Sequence, residues 1–191
     1  MKRICIFCGS SPGRKKAYTE AAKETGRVLA ENGLGLVYGG AGIGTMGALA
    51  DSVLSRGGDV TGVMPRLLVE KEVAHKGLSD QRIVDSMHER KQLMADLADG
   101  FIAMPGGLGT FEEFFEILTW AQLGMHNKPC GLLNTDGYYN ELLNFLDFAV
   151  TEEFVHPAWR SMILIHDTPA DMIDAMLTHH PPAVDKWGGA R

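Results

Sequence analysis

Cysteine is scarce in this chain, which has three cysteines among 191 residues. Three thiols do not make a disulfide framework and are more typical of a reducing compartment. The sequence also has no apolar run that approaches the length of a membrane span. Because the first residues do not resemble a secretory signal peptide either, we expect a cytoplasmic protein.

Basic residues are also fewer than acidic ones, 18 against 24, and the formal net charge is −6. This balance argues against a general electrostatic grip on nucleic acid, including single strands. The histidines lack metal-ligand spacing and no H-E-x-x-H motif occurs, so the sequence implies no metal.

Short apolar segments with strand character alternate along the chain with segments of helical periodicity. We predict strands near 3–8, 34–38, 59–64, 81–84, 100–104, 129–133 and 161–165, and helices near 14–32, 44–56, 86–98, 110–124, 138–151 and 168–178. Such alternation is typical of a doubly wound parallel sheet with helices on both faces. We therefore predict a single-domain, Rossmann-like α/β fold over residues 1–178 and a flexible tail over 179–191.

Three glycine loops follow predicted strands, at 9–13, 39–47 and 105–109. Ligands of doubly wound sheets bind beyond the carboxyl ends of the strands, so these loops indicate one binding edge. The long connection at 65–80 is predicted to be irregular, and a loop of that length is usually functional.

The central stretch is residues 100–120, read as a strand, a glycine turn and a helix that begins at Thr110. The unpaired N–H groups and the dipole at a helix start form an anion site, and Gly106, Gly107 and Gly109 would let the backbone approach a phosphate.

One cysteine pattern and one glycine pattern resemble functional motifs but do not indicate a cofactor or a redox site. Cys5-x-x-Cys8 lies within a predicted strand, where a three-residue step places the side chains on opposite faces, so we expect buried thiols without a redox or metal role. Residues 42–47 match G-x-G-x-x-G, but the next strand ends at Arg66 without the carboxylate that a nicotinamide cofactor requires. No cofactor is implied.

Thr110 and Glu113 allow two interpretations. Thr-x-x-Glu before an apolar run is a capping box, yet a carboxylate beside an anion site could also hold ribose or position water. The helical phase places Phe111, Phe114, Phe115 and Leu118 on the buried stripe, so we expect Glu113 to point away from the sheet.

A second helix start lies at Ser86, where Ser86 and Glu89 match another capping box. Steps of three and four from Met87 place Arg90 and Lys91 on the inward face of this helix. Two inward cations near a helix N-terminus are unfavourable unless anions accompany them, so either a buried ion pair or a bound ligand is expected.

Five motifs stand out together in this sequence: Pro105-Gly-Gly-Leu-Gly-Thr-Phe-Glu-Glu113, Phe7-Cys-Gly-Ser-Ser11, Tyr38 to Gly47, Met87-His-Glu-Arg-Lys91 and Lys128 to Asn134. In these motifs the chain resembles the LONELY GUY (LOG) family of cytokinin riboside-monophosphate phosphoribohydrolases, once labelled lysine decarboxylases. The motifs occur in the family's order over roughly residues 3 to 178. Ala41 and Thr45 depart from the family pattern, which has glycine and leucine there.

The resemblance implies hydrolysis of the N-glycosidic bond of AMP and N6-modified AMP, and a homodimer. It places the family's signature glutamate at Glu113 and substrate-binding residues at Arg90 and Lys91. On this basis our hypothesis assigns the catalytic roles to Arg90 and Glu113. The resemblance also implies substrate binding by Glu72 and Thr119, and Glu112 is the reserve choice for the role of its neighbour Glu113. Together with the glycine loops, the candidate binding set is Gly9, Ser10, Gly40, Gly42, Glu72, Lys91, Gly106, Gly107, Leu108, Gly109, Thr110, Phe111, Glu112 and Thr119.

Two alternatives remain open at this point. One is a non-catalytic carrier of a nucleotide or of the molybdenum cofactor, because a fold does not determine a function. The other is a pyridoxal-phosphate-dependent lysine decarboxylase, which rests on the old label alone, since no lysine lies in a recognisable Schiff-base setting.

Overall fold

A computed structural model describes residues 1–69 and 74–180, and these residues contain seven parallel strands and eight α-helices. The strands are β1 (Arg3–Phe7), β2 (Gly35–Tyr38), β3 (Val60–Pro65), β4 (Asp80–Val84), β5 (Gly100–Ala103), β6 (Cys130–Leu133) and β7 (Ile163–His166). The helices are α1 (Lys16–Glu31), α2 (Gly44–Leu54), α3 (Arg66–Val69), α4 (Met87–Leu97), α5 (Leu108–Gln122), α6 (Asn140–Thr151), α7 (Pro157–Arg160) and α8 (Pro169–Leu177).

The predicted fold is confirmed, and each predicted strand and helix is present with small shifts at its ends. The connection at 65–80 differs, because its residues 66–69 form α3 rather than irregular chain. The short helix α7 was not predicted either. Both are single turns, too short for helical periodicity to be visible in a sequence.

The sheet has the strand order β4-β3-β2-β1-β5-β6-β7, and every pairing is parallel. The chain builds outward from β1 to β4, returns to the centre, and builds outward again from β5 to β7. The order therefore reverses between β1 and β5. In such sheets a crevice opens at the reversal, beyond the carboxyl ends of the two strands.

Apolar side chains cover both faces of the sheet and form two separate cores. One core lies under α1, α2 and α8, and the other lies under α4, α5 and α6. Cys8 belongs to the first core and Cys5 to the second, which confirms that the two thiols lie on opposite faces. No helix among the described residues is long and apolar enough to cross a bilayer.

Candidate active site

The glycine loops after β1, β2 and β5 meet at the crevice, as their positions at the strand ends predict. A Cβ built on Gly106 would lie 3.1 Å from the Gly9 nitrogen and 2.2 Å from Thr110 Oγ1. A Cβ on Gly44 would lie 2.3 Å from the carbonyl carbon of Ser10. The obstacle is the Thr110 side chain at Gly106 and backbone at Gly44, so a Cβ has no room at either position.

Thr45 ties the second loop to the first. Its buried hydroxyl donates a hydrogen bond to the Gly9 carbonyl over 2.9 Å, and the Met46 N–H reaches the same oxygen over 3.2 Å. Thr45 is one of the two departures from the family pattern. The leucine of that pattern has no hydroxyl and could not donate this hydrogen bond. Two hydrogen bonds from the start of α2 therefore hold the loop at Gly9 in place.

The start of α5 leaves backbone donors free. Gly107 is the N-cap with an extended backbone, no side chain caps the helix, and the Phe111 N–H closes the first turn on the Gly107 carbonyl over 3.1 Å. The predicted helix start at Thr110 is therefore wrong, because the chain turns earlier, at two glycines, and the helix begins at Leu108. Of the two interpretations of Thr110 and Glu113, the capping box is not formed. The first-turn N–H groups have no intrahelical partner and can face an anion.

A cavity of about 310 Å³ lies against this helix start. It is lined by residues 9–13 and 105–107 together with Tyr18 and Tyr138. Ser10 stands exposed on its wall, and Leu108 projects into solvent with 84% of its surface exposed. The predicted residues Gly9, Ser10, Gly106 and Gly107 are thus brought together around one space.

A buried ion pair joins α4 to α5. Arg90 Nη1 lies 3.0 Å from Glu113 Oε1, and the two residues expose only 8% and 7% of their surfaces. Arg90 Nε also donates to the Val63 carbonyl over 3.0 Å, and a Cβ on Gly39 would lie 2.3 Å from Arg90 Nη2. The guanidinium therefore lies at the carboxyl ends of β2 and β3, where glycine makes room for it.

The burial of Glu113 corrects the expectation that it points away from the sheet. The buried positions of α5 are Thr110, Glu113, Phe114, Ile117 and Ala121, whereas Phe111, Phe115 and Leu118 are only half-buried. The stripe is rotated because α4 packs beside α5 and offers Arg90 as a partner. Burial raises the pKa of the Glu113 carboxyl, and the Arg90 charge opposes that rise.

Lys91 is buried beside Arg90 and meets two further carboxylates of α5. Its Nζ lies 2.5 Å from Glu112 Oε1 and 3.0 Å from Glu116. Burial alone would lower the pKa of Lys91, but the hydrogen bonds that Lys91 donates to Glu112 and Glu116 outweigh this effect, and the pKa is raised. The inward direction predicted for both cations is confirmed, and each cation has its anion within the protein.

The start of α4 is fixed as predicted. Ser86 Oγ accepts a hydrogen bond from the Glu89 N–H over 3.1 Å, and Glu89 Oε2 accepts one from the Asp85 N–H over 2.9 Å. The predicted cap at Ser86 is confirmed, with Glu89 reaching back to the residue before it. This cap sets the phase of the helix that carries Arg90.

Other predicted binding residues lie away from the cavity. Gly40 has a positive φ of 84° and its carbonyl accepts from the His75 N–H over 3.0 Å, which is a structural role. Gly42 lines a different, open cavity between α1 and α2. Thr119 is exposed in an apolar groove beside α7. Glu72 lies outside the described residues.

Two residues at the site were not predicted from the sequence. Gly39 gives Arg90 its space, and the Tyr138 hydroxyl donates to the Gly106 carbonyl over 2.5 Å. Tyr138 follows β6 at the same sheet edge as the glycine loops. The turn at Asp136-Gly137 directly before it is the sequence feature from which its position at this edge could have been predicted.

The fold and this edge define a Rossmann-like α/β protein with an uncapped helix start at the reversal of its sheet. A family model described as "Possible lysine decarboxylase" matches residues 46–176. The chain is also 47% identical over 180 residues to a probable cytokinin riboside 5'-monophosphate phosphoribohydrolase of Oryza sativa subsp. japonica, which covers 94% of this chain and 72% of that protein.

A cytokinin riboside 5'-monophosphate phosphoribohydrolase of Rhodococcoides fascians is 50% identical over 165 residues, or 86% of this chain and 83% of that protein. The chain therefore belongs to the LONELY GUY family, as its motifs indicate. Among solved structures, the molybdenum cofactor binding protein of Rippkaea orientalis superposes with a TM-score of 0.71 over 93% of this chain and 97% of that one. At 21% identity, this likeness shows a shared fold alone.

Proposed function

We propose that this protein hydrolyses the N-glycosidic bond of purine nucleoside 5'-monophosphates, namely AMP and N6-modified AMP, to free base and ribose 5-phosphate. The observation that carries the proposal is the buried Arg90–Glu113 pair next to a helix start that is free to bind phosphate. Family membership, and the activity in the names of relatives that are 47% and 50% identical, support it.

The spacing along α5 suits a nucleotide. Glu113 lies three residues after Thr110, a rise of about 4.5 Å along a helix. A phosphate bound by the N–H groups of residues 106–110 would therefore leave the sugar within reach of Glu113. Binding energy from the remote phosphate would orient the ribose without taking part in the reaction itself.

The chemistry needs a group on each side of the bond that breaks. As the C1'–N9 bond breaks, positive charge develops on the ribose, and water adds at C1'. Glu113 would hold the ribose hydroxyls and either take the proton of that water or offset the charge, and a raised pKa suits a proton acceptor. Arg90 would assist departure of the base, and Lys91 would support Arg90 in binding substrate.

The alternative functions have less support. A lysine that forms a Schiff base must lose its proton, whereas Lys91 is buried, ion-paired and has a raised pKa.

A carrier would need to bind its ligand but not to act on it. A buried arginine–glutamate pair has a large desolvation cost. An enzyme, in which the two groups act on a substrate, explains this cost better than a carrier does.

We also propose that the protein is a homodimer in the cytoplasm. The described surface exposes Phe145 and Phe148 on α6, and Phe154 beyond it is 88% exposed. Exposed aromatic side chains of this kind are typical of a protein–protein contact surface. This apolar surface on and beyond α6 carries the proposal of a dimer. Sedimentation at micromolar concentration tests it, and a strict monomer would contradict it.

The activity is tested by incubating the protein with AMP and measuring adenine and ribose 5-phosphate. We expect the two products in equal amounts, and a large loss of turnover in Arg90→Ala and Glu113→Ala variants that remain folded. Arg27→Ala is the matched control, since Arg27 pairs with Glu24 and Glu31 on α1 and does not line the cavity at the start of α5. Wild-type turnover in both site variants would refute the assigned roles.

A further inference from the structure

The peptide between Gly106 and Gly107 joins two residues without side chains at the start of α5. A Cβ built on Gly107 would meet nothing within 4 Å, so no neighbouring atom presses on this residue. Although Gly106 packs against Thr110 and Gly9, neither glycine has a Cβ that would restrict rotation of the peptide that joins them. If this peptide is to present a donor to a ligand, a contact from elsewhere in the fold must hold it.

Tyr138 supplies such a contact, since its hydroxyl donates to the Gly106 carbonyl over 2.5 Å. No peptide bond among the described residues is cis, and in a trans peptide the N–H points opposite to the C=O. Holding the Gly106 carbonyl toward Tyr138 therefore holds the Gly107 N–H in the opposite direction. That N–H then joins the free donors of the first turn of α5.

The Tyr138 ring is itself held in place. It meets Tyr18 edge-on with ring centroids 5.6 Å apart, and Tyr139 at 5.0 Å. The turn before it contains Asp136 at a positive φ of 54°, and Lys15 Nζ binds the Asp136 carboxylate over 2.6 Å. The hydroxyl is therefore directed at Gly106 by contacts that do not involve the glycine turn.

We propose that Tyr138 is a positioning residue for the phosphate group of the ligand, acting through the orientation of the Gly106–Gly107 peptide. The proposal rests on the proposed function for the identity of the substrate, but requires only that the turn binds a phosphate. Loss of the hydroxyl would let the peptide rotate and withdraw the Gly107 N–H for part of the time.

Tyr139 offers a matched control in the next residue. Its hydroxyl also donates to a backbone carbonyl, that of Met104, over 2.7 Å, and the residue is buried. The Met104 carbonyl belongs to the peptide that precedes Pro105, and proline has no N–H. Removing this hydrogen bond loses the same kind of contact but cannot reorient a donor.

The test compares Tyr138→Phe and Tyr139→Phe with the wild type, using calorimetric binding of ribose 5-phosphate, thermal unfolding and steady-state kinetics on AMP. For Tyr138→Phe we expect about three- to tenfold weaker ribose 5-phosphate binding, as for one weakened hydrogen bond. KM should rise by a similar factor with kcat nearly unchanged, because the contact is made equally before and during the reaction. Tyr139→Phe should lower Tm and leave ribose 5-phosphate binding unchanged.

The proposal is overturned if Tyr138→Phe binds ribose 5-phosphate as tightly as the wild type, if both variants weaken binding alike, or if the wild type does not bind it. A wild type that binds ribose 5-phosphate but leaves AMP intact would instead refute the proposed hydrolysis. In that case the binding comparison would still decide the role of Tyr138.

Discussion

Arg90→Met should make the stability of this protein depend on pH through Glu113. The substitution removes the guanidinium that lies 3.0 Å from the buried carboxylate and keeps much of the apolar stem. Burial already raises the pKa of Glu113 above its ordinary value of 4.5, and Arg90 works against that rise. Without Arg90, the pKa of Glu113 should therefore rise further.

The sign follows from proton binding. When the folded pKa of a carboxyl exceeds its unfolded value, the folded state holds the proton more tightly, so stability is greatest at low pH and falls as pH rises toward the folded pKa. Breaking a buried pair costs about 3–5 kcal/mol when the remaining charge stays ionised. When Glu113 is protonated, no unpaired charge stays buried, and the cost falls toward that of the Val63 carbonyl left without its donor, about 1–3 kcal/mol.

Urea unfolding at about pH 5 and about pH 8 measures this difference. We expect Arg90→Met to be destabilised more at the higher pH, whereas Arg160→Met should lose at most about 1 kcal/mol at both, because its partner Asp147 is exposed. An equal loss for Arg90→Met at the two pH values would refute the claim that Glu113 is its charged partner.

Three other substitutions or treatments test neighbouring parts of the account. Gly39→Ala would place a Cβ 2.3 Å from Arg90 Nη2, so we expect kcat/KM on AMP to fall sharply, and unchanged kinetics would contradict the position of Arg90. Ser86→Ala removes the cap of α4 and should cost about 1 kcal/mol in urea unfolding, whereas no loss would mean that the cap is unimportant. Burial raises the pKa of Cys8 to about 12 and that of Cys5 well above its ordinary value, so neither thiol should react with a thiol reagent before unfolding, and rapid labelling of the native protein would contradict this.

The parts of the site that could be predicted depend on short-range patterns. Glycine clusters directly after apolar runs indicated where the strands end, and the reversal of a parallel sheet brings such ends together. The inward direction of Arg90 and Lys91 followed from steps of three and four from Met87, because those steps return to one helix face.

The direction of Glu113 could not be predicted in the same way. Hydrophobic phase assigns the sheet-facing stripe of a helix, but Glu113 is buried because α4 packs beside α5 and brings Arg90 to it. The start of α5 was misplaced because the Thr110–Glu113 pattern imitates a cap, while the local turn is made by Gly106 and Gly107.

Tyr138 shows a different limit of sequence analysis. Its hydroxyl reaches Gly106 across 32 residues, and the contact exists only because β6 pairs beside β5 in the finished sheet. Aromatic residues after a strand are usually packing residues, so the pattern alone does not distinguish a contact with the glycine turn.

The most direct measurement is a crystal structure of the Glu113→Gln variant with AMP, which should bind the nucleotide while turning it over slowly. We expect the N–H groups of residues 106–110 to bind the phosphate. The anomeric carbon should lie beside Arg90 and beside the substituted side chain at position 113. A nucleotide bound elsewhere, with the turn after Met104 empty, would contradict the account.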